Sequence, residues 1–339
     1  MRTSHFLGFG IAMLLFPTLA DARPTPSYAV AGTIAGPDGG WDYTSVDPVT
    51  RQVYVARADS VTIADLATAR VRSVGSTAKS HAVVPIPDQH LLLVTSGRDD
   101  SVRLIDPATG VEKAKIAVGK DPDAALYDAA THRAVVINAK DGTVSLIDVA
   151  AARVVGTIAL KPGLEFAQLG KDGTLYVNNE DASEIETANL ATATAGVPIA
   201  LPGCTEPSGL AYDATTDLLI SACANGKAAV VDAGKHKLVK LLDIGLGADA
   251  AILDAARRLA FVPCGQSGVL TEIALDANGG PAVVANIPTE PGARTGAVDP
   301  RDGTLYLPTA RLAAPVGSQK RGVPLPGSFH IIVVRPHAA

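Results

Sequence analysis

The sequence predicts an all-β fold: a seven-bladed β-propeller of four-stranded antiparallel blades, closed by pairing an N-terminal strand with the last blade. Two observations predict it. A motif of apolar strand, acidic turn and second apolar strand recurs seven times, its second strand reading VYVA from Val53, LLVT from Leu92, VVIN from Val135, LYVN from Leu175, LISA from Leu219, AFVP from Ala260 and LYLP from Leu305. These copies start 39 to 45 residues apart, a period that suits one four-stranded blade. In addition, YAVAGTIAG from Tyr28 copies the pattern that closes a repeat, as in RVVGTIAL from Arg153, yet stands ahead of the first copy.

Taken in order, the chain begins with Arg2, an apolar stretch from Phe6 to Phe16 and Ala20-Asp21-Ala22. That is the pattern of a signal peptide cleaved after Ala22, with an apolar run well short of the roughly 20 residues that span a bilayer. The expected organisation is therefore a signal peptide over 1–22 and a single propeller domain over 23–339, in a periplasmic or secreted protein. Within a repeat, the third strand follows a polar loop and ends in Asp, as in SVRLID to Asp106, TVSLID to Asp148 and AAVVD to Asp232. A short turn then leads to a fourth strand, EKAKIAV from Glu112 or RVVGTIAL from Arg153. The last repeat supplies only three strands, ending in FHIIVV from Phe329, so Tyr28–Ala35 is expected to complete it and remove the open sheet edges. A ring closed in this way is expected to be a monomer.

Composition narrows the partners. The chain carries 34 acidic and 29 basic residues, a net charge of −5, with no basic run for a phosphate backbone to hold, so nucleic acid is excluded as a partner. No later stretch reaches membrane-spanning length without charges or turn residues. Three cysteines in an oxidising compartment permit one disulfide and one thiol. Cys204 stands nine residues before Asp213 and Cys223 ten after it, so a hairpin brings the two to one end of the same blade. Cys264 occupies the Cys223 position one blade along, where neighbouring blades splay apart, and is expected to stay free.

The repeats resemble the YVTN family, and the mature chain resembles secreted YncE-like seven-bladed propellers. The resemblance rests on GGWDY from Gly39, DGTVSLID from Asp141, EPSGLAYD from Glu206, GARTGAVDP from Gly292, LYLPTA from Leu305 and PGSF from Pro326. It implies the fold and leaves function open, because similar propellers serve as binding modules, scaffolds and enzymes.

Register locates a candidate site. The first strand of each blade lines the central channel, and its turn position reads Asp47, Ile86, Asp128, Gly170, Asp213, Asp254 and Asp299. Counting back five residues gives Asp42, His81, Asp123, Glu165, Ser208, Asp249 and Arg294, all polar, whereas the next position is mostly apolar or small. These seven are the expected ligand-binding residues at the channel mouth, for a small polar ligand or a partner protein segment, and their alternative role is to line a water-filled channel. Asp123, Glu165 and Asp249 are candidate ligands for a divalent cation, the cofactor that carboxylates from different blades would suit. A resemblance to propeller lactonases implies a second reading, ester hydrolysis with His81, Asp123 or Glu165 as base and Arg294 on an anionic oxygen. The segment from Arg311 to Ser328 is far longer than an ordinary hairpin loop and is either a lid over the mouth or disordered. Trp41 is expected to pack rather than to stack on a ligand.

Overall fold

The computed structural model describes residues 27–314 and 322–337. The expected signal peptide, 1–22, and the tip of the segment from Arg311 to Ser328 lie outside them.

Seven sheets are arranged in a ring, and in six of them the inner, second, third and outer strands follow one another in the chain. The third blade is representative, with strands Pro122–Asp128, Arg133–Asn138, Thr143–Asp148 and Arg153–Ala159. The last blade departs from this order. Its inner strands are Ala297–Val298, Leu305–Thr309 and His330–His337, and its outer strand is Ser27–Ala35, paired antiparallel from Ser27 opposite His337 to Ala35 opposite His330. The N-terminal strand therefore closes the ring.

Local chemistry explains the turns. Asp47 accepts backbone N–H bonds from Val49 and Thr50, Asp106 from Ala108 and Thr109, and Asp213 from Thr215 and Thr216. Each Asp thus holds the chain in a tight turn as a strand ends. The residue that re-enters the next strand takes a left-handed conformation at Arg51, His132 and His236. Two histidines, His132 and His236, are such turn residues.

The core lies between the blades. Among the described residues, seven apolar clusters lie between adjacent blades; the one between blades three and four also takes in Tyr43 and Ala82 from blades one and two, and the one joining the last blade to the first includes Trp41, Val53, Val55, Phe329 and Ile331. Every second strand is buried on both faces, which is why VYVA, VVIN and AFVP read as continuous apolar runs. The outer strands remain sheet edges, and five carry an extra, exposed residue opposite a regular partner strand: Ala31, Lys113, Val155, Val239 and Val284. Such bulges twist an edge away from pairing with another molecule.

One core position breaks the apolar rule. Glu272, in the third strand of blade six, is 2% exposed, in the interface with the closing blade, and burial raises its carboxyl pKa to about 7. It is near Tyr28, whose ring packs edge-on against Phe261 at 4.7 Å, and near Asp254 and Arg257, which act on the same hydroxyl. A folded-state pKa above the unfolded value near 4.3 means that stability from this group is full at low pH and is lost as pH rises through 7. Glu272→Gln keeps the neutral form. It should leave stability nearly unchanged at pH 4 and raise it by roughly 2 kcal/mol at pH 8, read from urea unfolding at the two pH values. An equal effect at both values would mean that Glu272 does not titrate in the fold.

Candidate functional site

Four of the inner strands break their register where the polar ring sits. In blade one, Trp41 lies opposite Arg57 and Thr44 opposite Val55, so Asp42 and Tyr43 share one partner residue. In blade four Glu165 and Phe166 face Asn178 alone, and in blade five Ser208 and Gly209 face Ala222 alone. Asp123 is the extra residue of blade three. A bulge re-aims the side chain that it carries. Here it lets a polar and an adjacent apolar residue both meet the crowded axis. Gly209 is required at this point, because a Cβ there would lie 2.3 Å from the backbone of Ala250 in the next blade.

The seven side chains form one run of contacts. The Nδ1 atom of His81 is 2.8 Å from Asp42 Oδ2 and 3.0 Å from Asp123 Oδ1. Arg294 donates from Nε to Asp249 at 2.5 Å and from Nη2 to the Trp41 carbonyl at 3.2 Å, and it lies 3.9 Å from Asp42. The Ser208 hydroxyl is 3.1 Å from both Asp249 Oδ1 and Glu165 Oε2. The run opens between Asp123 and Glu165, two carboxyl groups.

Electrostatics follow from this layout. Burial pushes the His81 imidazole down, but its bonds to Asp123 and Asp42 outweigh burial and hold its pKa at about 10. Glu165 stands well above the ordinary carboxylate range because of burial, reinforced by Asp123, Asp249 and Glu180. Asp123 is also raised by burial, with His81 opposing. Burial lowers the Arg294 pKa, yet Asp249 and Asp42 raise it overall.

Tyr43 closes the channel below the ring. Its ring packs against Phe166 at 4.9 Å, and its hydroxyl reaches across the axis from blade one to Glu165 in blade four at 3.2 Å. Beside the mouth, on the same face, a cleft of about 640 Å³ is lined by Trp41, Gly247, Gly265, Pro291, Arg294 and Leu312. The arms of the long segment form one wall of this cleft, held together by Ala313 N–H to the Val323 carbonyl at 2.9 Å and Leu325 N–H to the Arg311 carbonyl at 2.8 Å.

The expectations from sequence can be set against this geometry. Among the described residues no group of three or more His, Cys, Asp and Glu side chains is arranged to hold a metal ion. The candidate ligands for a divalent cation are already engaged: Asp123 by His81, Asp249 by Arg294 and Ser208, and Glu165 by Tyr43 and Ser208. The ring's positive charge comes from its own imidazolium and guanidinium. A His81 held protonated is no base at neutral pH, which removes one of the three bases that the hydrolase reading offers. Asn178 and Asn179, which no sequence motif singles out, are buried; the Asn178 amide donates to the carbonyls of Ser208 and Gly209 at 2.8 and 3.0 Å and fixes the bulge of blade five. Cys204 and Cys223 form a disulfide with their Cα atoms 5.4 Å apart, and Cys264 is free and buried.

His81 gives a direct check on the ring. Its raised pKa adds stability that is present below about pH 6.5 and is lost as pH rises through about 10. Its ring resonances in an NMR titration should therefore stay those of the imidazolium through pH 8. Asp123→Asn should bring the midpoint down by more than about one unit. A midpoint near 6.5 in the parent would mean that the carboxylates do not hold it.

Comparison with known proteins adds the fold and nothing finer. No family model matches the chain, and no curated protein matches it. Among solved structures, hydrazine synthase of Kuenenia stuttgartiensis is 14% identical with a TM-score of 0.68, over 86% of this chain and 95% of that one. A chain from a crystal structure of the mitotic checkpoint complex is 14% identical with a TM-score of 0.74, over 99% of both chains. At such identity the likeness is one of architecture, and the chain is a seven-bladed β-propeller.

Proposed function

We propose that this chain is an extracytoplasmic binding propeller of the YVTN-repeat, YncE-like kind, whose channel mouth takes a small ligand bearing a positively charged amine. One observation carries the reading. Four carboxyl groups meet one imidazolium and one guanidinium at the channel mouth, where the Tyr43 hydroxyl reaches across to Glu165, and the two cations sit on one side, away from Glu165. Burial and its acidic neighbours hold Glu165 well above the ordinary carboxylate range, and an arriving ammonium would favour its ionised form. The Cys204–Cys223 disulfide and the signal-like segment support the compartment. Among the described residues no helix is long and apolar enough to cross a membrane.

Isoamylamine serves as the probe. Binding followed by calorimetry should be saturable for the parent and at least tenfold weaker for the double variant Asp123→Asn, Glu165→Gln. The Gln carbonyl still accepts the bonds from Tyr43 and Ser208 but cannot ionise, so the variant should melt cooperatively as the parent does. Equal affinity in both proteins would make the ring a solvated channel lining.

A further inference from the structure

At the end of the inner strands opposite the polar ring, one blade junction is left open. The residue that leads from the first turn of a blade into its second strand takes a left-handed conformation, and at three junctions it reaches back to the preceding blade. His132 Nδ1 lies 2.8 Å from Asp88 Oδ2, Asp217 Oδ2 lies 3.4 Å from Lys171 Nζ, and Arg258 donates to Asp213 at 2.6 and 2.8 Å. His90 holds the same position in blade two, yet its ring has no partner among the described residues. Here a cleft of about 720 Å³ remains between blades one and two, a size that suits a small ligand. Tyr54, Pro85, Leu91 and Leu92 give it apolar walls. Arg72 crosses its outer end from blade one and donates from Nη2 to the Pro107 carbonyl of blade two at 2.5 Å. No carboxylate of the described residues pairs with this guanidinium, so its charge is unmet and most of its N–H groups are left for a ligand. Two acids also line the cleft, but each is tied to its own turn. Asp47 accepts from the Val49 and Thr50 N–H groups and the Thr50 hydroxyl, and Asp106 from the Ala108 and Thr109 N–H groups. The ionisable side chains left unpaired are therefore Arg72 and His90, and both can donate. An inorganic anion would leave the apolar walls bare; a carboxylate joined to a hydrocarbon body answers both the donors and the walls.

We propose that this cleft is a second binding site, for a monocarboxylate with an apolar body, its carboxylate on the Arg72 guanidinium with His90 as a further donor and its hydrocarbon along Tyr54, Leu91 and Leu92. A planar guanidinium suits a carboxylate better than any other cation does. The site is independent of the channel mouth, which lies at the other end of the inner strands.

Hexanoate is the probe. In a ¹⁵N-labelled sample it should move the backbone resonances of His90 and Ala108, with saturation below about 20 mM, and leave the His81 ring unmoved. Arg72 is exposed, so Arg72→Gln should melt as the parent does while binding hexanoate at least tenfold more weakly. Hexanamide, which lacks the charge, should also bind at least tenfold more weakly. Acetate, which lacks the chain, should do the same, because each buried methylene is worth about a fourfold change in affinity. Resonances at His90 and Ala108 that hexanoate does not move, or equal affinity for parent and Arg72→Gln, overturn the site. Hexanamide as tight as hexanoate overturns the role of the carboxylate, and acetate as tight as hexanoate reduces the site to ion pairing at the surface and overturns the apolar half. Movement of His81 in place of His90 would put the carboxylate at the channel mouth and overturn the placement, whereas failure of isoamylamine to bind at the mouth leaves this cleft untouched.

Discussion

Removing residues 27–36 should abolish cooperative unfolding of the whole propeller. The strand Ser27–Ala35 is the outer strand of the last blade, and it also reaches both neighbouring interfaces. Tyr28 belongs to the apolar cluster between blades six and seven, and Ile34 packs on the cluster between blades seven and one. Without the strand, His330–His337, with its apolar run Ile331 to Val334, becomes an open edge, the arrangement that templates pairing with another chain. The expected result is a broad, low-amplitude melting transition with aggregation. Tyr28→Ala keeps the strand but removes a ring that is 7% exposed; it should cost about 3 kcal/mol and leave the transition cooperative. A truncated chain that melts like the parent would show that the ring holds without its N-terminal strand.

That closure was legible in the sequence because a fourth-strand pattern ahead of the first blade matches the strand that the last blade lacks, and the blades were legible because a fixed period repeats seven times. The disulfide was legible for the same reason: once the register of blade five is known, Cys204 and Cys223 fall on one end of one hairpin. The polar ring could be named from register, but what the ring does to itself could not. The bulges at Asp42, Glu165 and Ser208 carry no sequence signature, since an added residue in an inner strand looks like any other. Tyr43 belongs to the position below the ring, otherwise mostly apolar or small, and only its reach across the axis to Glu165 brings it into the site. The consequence for chemistry is large. Four acids read along a chain suggest a cation site, whereas in space two of them, Asp42 and Asp123, are spent on His81, and Asp42 and Asp249 also flank Arg294.

Arg57 shows how one unremarked residue ties fold to site, and replacing it should rank with the most damaging single changes in the chain. It ends the second strand of blade one and is 3% exposed. Its Nε donates to the Gly40 carbonyl at 2.7 Å, its Nη2 to the carbonyls of Pro37 and Gly39 at 2.9 Å each, and its Nη1 to the Thr62 hydroxyl at 3.0 Å. Its guanidinium also stacks 3.8 Å from the centre of the Phe329 ring. Residues 36–40 run from the closing strand to the inner strand that carries Asp42 and Tyr43, so this one fork fixes the link between closure and channel mouth. Gly39 adopts a φ of 121°, a conformation that glycine supplies to bring its carbonyl onto the fork. Burial lowers the Arg57 pKa to about 10, which leaves it charged at neutral pH. Arg57→Met preserves the apolar stem but strands three carbonyls and a hydroxyl, so it should cost on the order of 3–5 kcal/mol in urea unfolding. Arg57→Lys should recover little of this, because a single ammonium cannot serve a planar set of acceptors. Since Asp42 leaves the same link, the His81 midpoint should fall in both variants while Asp123 still holds it above about 6.5. An Arg57→Met protein as stable as the parent, with His81 unmoved, would mean that the link between closing strand and channel mouth is held by its backbone alone.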